Sequence, residues 1–268
     1  IVIFNSPGAN ANAVKELIVV GLLLGSRDIY GGMNYVQELD HMDDAGEMGK
    51  LLEKEKKRFA GSEIAGKTLG VVGLGAIGSI IANLGLELGM DVIGYDPAIS
   101  VEAAWRLSGR VARMENLQAL LAKADFVTLH VPAIPATKDL INSETLALMK
   151  SSAKVLNFAR EQIVNTEAMV AALDKGVIAG YISDFPVPEL LGRKDVLLMP
   201  HIGASTAEAE ENCAVMAANQ LMDFIENGNI KNSVNFPSTK MVRNGGTRLT
   251  FCNSNVPKVL GNVLSILA

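Results

Sequence analysis

Three glycines, Gly73, Gly75 and Gly78, lie in the stretch KTLGVVGLGAIGSIIANLGLELGMDVIGYDP, between an apolar run and an amphipathic one. Glycines at this spacing let a chain turn tightly out of a strand. They also bring bare backbone against a pyrophosphate and seat the next helix close to the strand. The helix that opens at Ala76 and Ile77 offers free N–H groups and the positive end of its dipole to phosphates. The glycine spacing alone is common. Its place after a strand, before a helix and ahead of a second strand ending in Asp96 is what a dinucleotide site requires. A carboxylate at Asp96 accepts both adenosine ribose hydroxyls and repels a 2′-phosphate. No Arg or Lys follows it closely, so the pattern favours NAD over NADP.

A second group of polar residues follows apolar runs later in the chain. VLNFAREQIVN carries Arg160, SDFPVPEL carries Asp184 and Glu189, and LLMPHIGAST carries His201. Open α/β sheets bind ligands at the carboxyl ends of their strands, which is where these residues are expected. Of the three histidines, His41 sits among acidic residues and reads as solvated. His130 ends an apolar run before Val131-Pro132, and His201 precedes a turn containing Gly203. Cys213 reads as a buried helix residue, and no cluster reads as a metal site.

The elements that must position these residues follow from hydrophobic period. Strands are predicted over residues 68–72, 91–95, 110–113, 126–130, 154–157, 179–183 and 196–199. Helices are predicted over 76–88, 101–107, 117–122, 143–149, 166–175 and 206–226. Short apolar strands alternating with crossover helices predict an α/β fold with a doubly wound parallel sheet, a Rossmann-type NAD domain over residues 59–226. Ahead of it, residues 1–58 read as a strand at Ile1–Asn5, a helix from about Ala13 to Ser26, an interruption at Gly31-Gly32 and a charged helix over 34–58. With one strand, that region cannot be a complete sheet domain. Residues 227–246 read as a return segment and linker. Residues 247–268 read as strand, turn and helix, the opening of another small domain.

With 268 residues, 49% hydrophobic and 20% charged, the chain has material for one sizeable core and part of a second. A net charge of −5 gives no electrostatic reason for a nucleic-acid partner. The basic run Lys54, Lys56, Lys57 and Arg58 is interrupted by Glu55 and reads as a solvated helix face. The longest greasy stretch, Leu17 to Leu24, is too short to span a bilayer, and no membrane partner is expected. Two unpaired cysteines and no recognisable leader fit a reducing, cytoplasmic setting. The chain opens within a strand and closes within a helix, which reads as a segment of a longer protein.

The sequence resembles the D-isomer-specific 2-hydroxyacid dehydrogenases over nearly its whole length. The resemblance rests on NSPGANANAVKEL, GVVGLGAIG, GYDPAISVEAAW, LHVPAIPATKDLIN and PHIGASTAEAEEN. The final RLTFCNSNVPKVLGNVLSILA is similar to the start of an ACT-type regulatory domain. That ending is characteristic of the branch that oxidises 3-phospho-D-glycerate to 3-phosphooxypyruvate, the first step toward serine. The rival readings are another specificity of the family, for hydroxypyruvate, glyoxylate or D-lactate, and an NAD(H)-sensing corepressor-like protein.

The resemblance implies that Arg160 pairs with the substrate carboxylate and polarises the C2 oxygen, that His201 is the acid–base group, and that Glu189 holds the far nitrogen of its ring. It places Asp184 near the nicotinamide and Gly203 among the cofactor-binding residues. It puts His130, Val131, Pro132 and Thr137 on the cofactor side of the cleft and Asn10 on a loop that approaches substrate. It implies a small-molecule partner, a phosphorylated 2-hydroxy or 2-keto acid, in a homodimer or homotetramer, and a substrate-domain core ahead of Ile1. The chain departs from the family pattern at Glu161 (Gly is usual), Phe185 (Val) and Lys258 (Gly).

Overall fold

The computed structural model describes residues 1–253 and 256–267, and divides the chain into two compact units. The larger is Asn10–Ala209; the smaller joins Ile1–Ala9 to Glu210–Ala268.

The larger unit is built on a seven-stranded sheet of β1 (Thr68–Val72), β2 (Asp91–Tyr95), β3 (Ala112–Arg113), β4 (Phe126–Leu129), β5 (Lys154–Asn157), β6 (Gly180–Ser183) and β7 (Val196–Leu198). Their order is β3-β2-β1-β4-β5-β6-β7, and every pairing is parallel. The helices are α1 (Ala11–Ser26), α2 (Ile29–Gln37), α3 (Ala45–Glu55), α4 (Ala76–Glu87), α5 (Val101–Arg106), α6 (Leu117–Lys123), α7 (Ser143–Leu146) and α8 (Thr166–Asp174). The doubly wound parallel sheet is as the sequence predicts.

Alternation along the strands splits the core in two. Val127, Leu129, Val155 and Tyr181 pack with Leu120, Leu121, Leu146 and Met169 from α6, α7 and α8. Leu69, Val71, Leu156 and Ile182 pack with Ile18, Leu22, Ile81 and Ala82 from α1 and α4. Because successive side chains of a strand point to opposite faces, both faces must be covered, and both are. Helix α1 thus belongs by packing to the sheet unit. Val14, Ile18 and Leu22 complete one of the sheet's two cores, and the compact unit that holds the sheet begins at Asn10.

The region before β1 also differs in its helices. The single charged helix expected over 34–58 is two helices, with a turn in which Met42 N–H donates to Leu39 O. Asp44 starts α3 by accepting the N–H groups of Gly46 and Glu47 at 2.7 and 2.9 Å. Gly31-Gly32 does not interrupt a helix but lies inside α2, because Asp28 caps that helix through Gly31 N–H. A Cβ on Gly31 would stand 2.3 Å from the Asp28 carboxylate. The basic run is exposed and pairs locally, Lys56 with Glu53 and Arg58 with Glu55.

In the smaller unit the predicted strand at Ile1–Asn5 reduces to one antiparallel bridge, Phe4 to Ser233. Beside it Asn5 N–H donates to Asn232 O and Val234 N–H to Ile3 O, and Ile1 is fully exposed. Helix α9 (Ala207–Asn227) contributes Phe224, whose ring meets Phe4 edge-on at 5.6 Å. The strand expected early in residues 247–268 is not present among the described residues, while α10 (Val259–Leu267) is. Ser254, Asn255 and Ala268 of the ACT-like stretch lie outside the described residues. Cys213 is partly buried in α9. No helix among the described residues is long and apolar enough to cross a membrane.

Candidate active site

The strand order reverses at β1, with β2 on one side and β4 on the other. A crevice therefore opens between the loops leaving β1 and β4. Gly73 leaves β1 with φ of 88°, a left-handed conformation that favours glycine. A Cβ on it would lie 2.7 Å from His130 O, and one on Gly78 would lie 1.9 Å from Gly73 O. Neither position admits a side chain. A Cβ on Gly75 would meet nothing within 4 Å. The turn is thus closed on its inner side and open above Gly75, where α4 begins without a side-chain cap.

The first N–H groups of α4, at Ala76, Ile77 and Gly78, face no acceptor within the helix. This cradle fits the pyrophosphate of a dinucleotide. Asp96 accepts Leu74 N–H and Ala98 N–H, each at 2.8 Å, one on each carboxylate oxygen. The carboxylate thereby braces the glycine turn. With about four acceptor positions in all, it keeps capacity for ribose hydroxyls.

After β4, His130 lies with its Nε2 2.9 Å from Thr128 Oγ1. Burial pushes its imidazole down to about 3, so the ring is neutral at physiological pH. Val131 and Pro132 follow it. Thr137 closes this loop on itself, accepting Ile134 N–H at 3.0 Å and donating to Pro132 O. The Thr137 hydroxyl therefore shapes this loop from within.

Arg160 leaves β5 in an extended conformation and is exposed, its guanidinium donating to Ala159 O of its own loop at 2.6 Å. Beneath it, the fully buried Asn157 closes the turn. Its Nδ2 donates to Arg160 O at 2.9 Å, and its Oδ1 accepts Ala159 N–H at 3.2 Å.

Asp184, 2% exposed, leaves β6 and accepts Ile202 N–H at 2.8 Å and Gly203 N–H at 2.6 Å. Those bonds hold the turn after β7 in which His201 adopts φ of 57°. His201 is exposed, and its ring packs against Phe185 with centroids 4.9 Å apart. Glu189 sits in the short 3-10 turn Pro188–Leu190, also exposed. It makes no hydrogen bond or ion pair with His201 among the described residues; the aromatic ring of Phe185 is the group against the histidine. Asn10 precedes α1, and its side chain makes no capping bond there.

The sheet thus gathers Gly73, Asp96, His130, Arg160, Asp184 and His201 at the carboxyl ends of β1, β2, β4, β5, β6 and β7. It leaves the Glu189–His201 pair unmade. Sequence reasoning did not single out Asn157, Tyr181 or Ser183, polar atoms in apolar strands. The signal was a polar residue repeated at the last position of β5 and β6, which pair as Asn157 with Ser183. No group of three or more His, Cys, Asp or Glu among the described residues is arranged to hold a metal ion.

Comparison with known proteins agrees with this arrangement. The family model described as "D-isomer specific 2-hydroxyacid dehydrogenase, NAD binding domain" matches residues 31–203. A D-3-phosphoglycerate dehydrogenase of Synechocystis is 38% identical over 243 residues, covering 88% of this chain and 41% of that protein. The D-3-phosphoglycerate dehydrogenase of Escherichia coli K12 is 35% identical, covering 99% of this chain and 63% of that protein. The chain therefore spans less than two thirds of the length of these relatives. Among solved structures, NAD+-bound 3-phosphoglycerate dehydrogenase of Entamoeba histolytica superposes with a TM-score of 0.68 at 26% identity, covering 88% of this chain and 68% of that one. The chain belongs to the D-isomer-specific 2-hydroxyacid dehydrogenases and carries their NAD-binding domain.

Proposed function

We propose that the protein oxidises 3-phospho-D-glycerate to 3-phosphooxypyruvate with NAD, opening the phosphorylated route to serine. The observation that carries this reading is the placement of Arg160 and His201. They stand on loops leaving β5 and β7, on the same edge of the sheet as the glycine crevice, with the Asp184 turn between them. The exposed guanidinium of Arg160 is free to form a charge-assisted pair with a substrate carboxylate and to donate toward the C2 oxygen. His201 takes the hydroxyl proton in oxidation and returns it in reduction. Bound NAD supplies the hydride acceptor. Glu189 is assigned to hold the far nitrogen of the His201 ring and so to fix its tautomer.

The phosphorylated substrate is supported by the two relatives named D-3-phosphoglycerate dehydrogenase. The ACT-like ending over residues 247–268, a homodimer or homotetramer, and a cytoplasmic location belong to the same reading. Asn10 approaches substrate, and Val131, Pro132, Thr137 and Gly203 line the cofactor.

The test is NADH oxidation with phosphooxypyruvate by the full-length protein and its His201→Asn form. Activity is expected in the first and a loss of at least ~100-fold in the second, with NADH affinity retained. Preference for an unphosphorylated 2-keto acid overturns the substrate. Absence of turnover with any 2-keto acid, together with NAD(H)-dependent capture of a partner protein, favours a sensing role.

A further inference from the structure

Behind the two groups assigned to chemistry lies a buried polar network. Asn157 is 0% exposed and Tyr181 4% exposed, inside an otherwise apolar core. Asn157 Nδ2 donates to Arg160 O at 2.9 Å and to the Tyr181 hydroxyl at 3.3 Å. Tyr181 and Ser183 share one face of β6, and Ser183 pairs with Asn157 across the ladder. Ser183 Oγ accepts Phe185 N–H at 3.1 Å, and the Phe185 ring lies on His201. One cluster thus reaches the Arg160 turn on one side and the ring beside His201 on the other.

A buried polar atom costs free energy unless it is paired, so such a cluster persists only where its bonds are made. No buried side-chain nitrogen or oxygen among the described residues is left without a partner. Burial raises the Tyr181 hydroxyl above its ordinary value, with the Glu161 carboxylate adding to the rise and contacts to Ser183 and Asn157 opposing it. The hydroxyl therefore keeps its proton. Glu161 and Phe185 line one small cavity with Tyr181, Val187 and Leu190. Glu161 therefore borders the network.

The geometry points to Asn157, backed by Tyr181, as a positioning residue. It fixes the carbonyl of Arg160, and so aims the guanidinium at the substrate carboxylate. This rests on the assignment of Arg160 to that carboxylate. A local turn has several conformations of similar energy, and a buried donor on its last carbonyl selects one. Misplacement of a catalytic group by about 1 Å costs up to about 100-fold in rate.

The test uses the full-length protein with Asn157→Ala, Tyr181→Phe and Arg160→Ala, singly and in pairs. Three quantities are read: NADH dissociation constant, kcat/KM for phosphooxypyruvate, and oxalate affinity of the NADH complex. Asn157→Ala is expected to lower kcat/KM and oxalate affinity on the order of 10-fold or more, and Tyr181→Phe several-fold, with NADH binding within twofold. In the Arg160→Ala background the same changes are expected to have less than a twofold effect, since the group they aim is gone.

Additive losses, or a parallel loss of NADH affinity, overturn the proposal. If Asn157→Ala does not fold, Tyr181→Phe, which removes a single oxygen, decides by the same criteria. If the unsubstituted protein reduces no 2-keto acid, the functional reading fails and the oxalate cycle still decides this one. Oxalate binding indifferent to Arg160→Ala overturns it.

Discussion

The Asp184 carboxylate accepts the N–H of Gly203 at 2.6 Å, and with the neighbouring bond from Ile202 it fastens the end of β6 to the turn after β7. His201 is the residue immediately before that bonded pair, and its φ of 57° is one that a side chain other than glycine adopts rarely. The bonds of Asp184 counter the cost of that conformation. Asp184, expected beside the nicotinamide, is by its hydrogen bonds the group that sets the histidine turn.

Asp184→Asn keeps the shape but replaces one acceptor by a donor that faces a backbone N–H. It is expected to cost about 1–3 kcal/mol in stability. It is also expected to reduce turnover more than NADH affinity, measured by denaturant unfolding and steady-state rates. Gly203→Ala would place a Cβ 2.9 Å from Asp184 Oδ2 and is expected to disturb the same turn. Unchanged turnover in both variants would remove the positioning role of this bond.

Gly75 and Gly78 should separate binding from folding. A Cβ at Gly78 meets Gly73 O at 1.9 Å, so Gly78→Ala is expected to destabilise the sheet unit by about 3 kcal/mol or more. A Cβ at Gly75 meets nothing within 4 Å, so Gly75→Ala is expected to unfold within about 1 kcal/mol of the parent. The same substitution occupies the space assigned to the pyrophosphate and should weaken NADH by about tenfold or more. Calorimetry with and without NADH distinguishes the two; normal NADH affinity in Gly75→Ala contradicts the cradle.

Asp96 has two tasks, so its loss should show twice. Asp96→Asn removes charge that opposes a 2′-phosphate, and the NADPH-to-NADH preference should rise about tenfold. Because Asp96 also receives Leu74 N–H and Ala98 N–H, absolute affinity for both nucleotides should fall. A selective loss of NADH with NADPH unchanged would mean that the brace on the glycine turn is unimportant.

Acid should weaken the sheet unit in two windows. His130 is held down to about 3 by burial, against 6.5 unfolded. A depressed folded value means that stability is fully present above about 6.5 and is lost as pH falls toward 3. For Asp125, burial pushes the carboxyl up, but hydrogen bonds from Lys150 and Thr68 N–H outweigh it and lower it. Its contribution is present above about 4 and is lost below that, as pH falls through its lower folded value. His130→Asn is expected to flatten unfolding free energy between pH 6.5 and 4 while leaving the steeper loss below pH 4. An unchanged slope in the upper window would show that His130 is not its source.

Much of this could be read from residue order alone. The glycine spacing, the strand before it and Asp96 after it define a dinucleotide turn, because the left-handed conformation of Gly73 and the close approach of Gly78 to Gly73 O are local and favour glycine. Strands β1, β2 and β5 are legible to the residue because apolar runs with sharp polar ends leave one reading. The break between α2 and α3 was hidden because an Asp cap within a charged stretch resembles more charged helix.

What only the tertiary structure decided is which side chains meet. Ile18 and Leu22 join the sheet core because α1 lies across β5 and β6, a contact that no local pattern encodes. His201 meets Phe185 rather than Glu189, and the Arg160 carbonyl is held by Asn157, which Tyr181 of the adjacent strand backs. Such pairings depend on strand order and register, which bring distant positions together. The sequence by itself determined the kind of ligand and the edge of the sheet that receives it. The packing of β5, β6 and β7 decided how Arg160, Asp184 and His201 are held there.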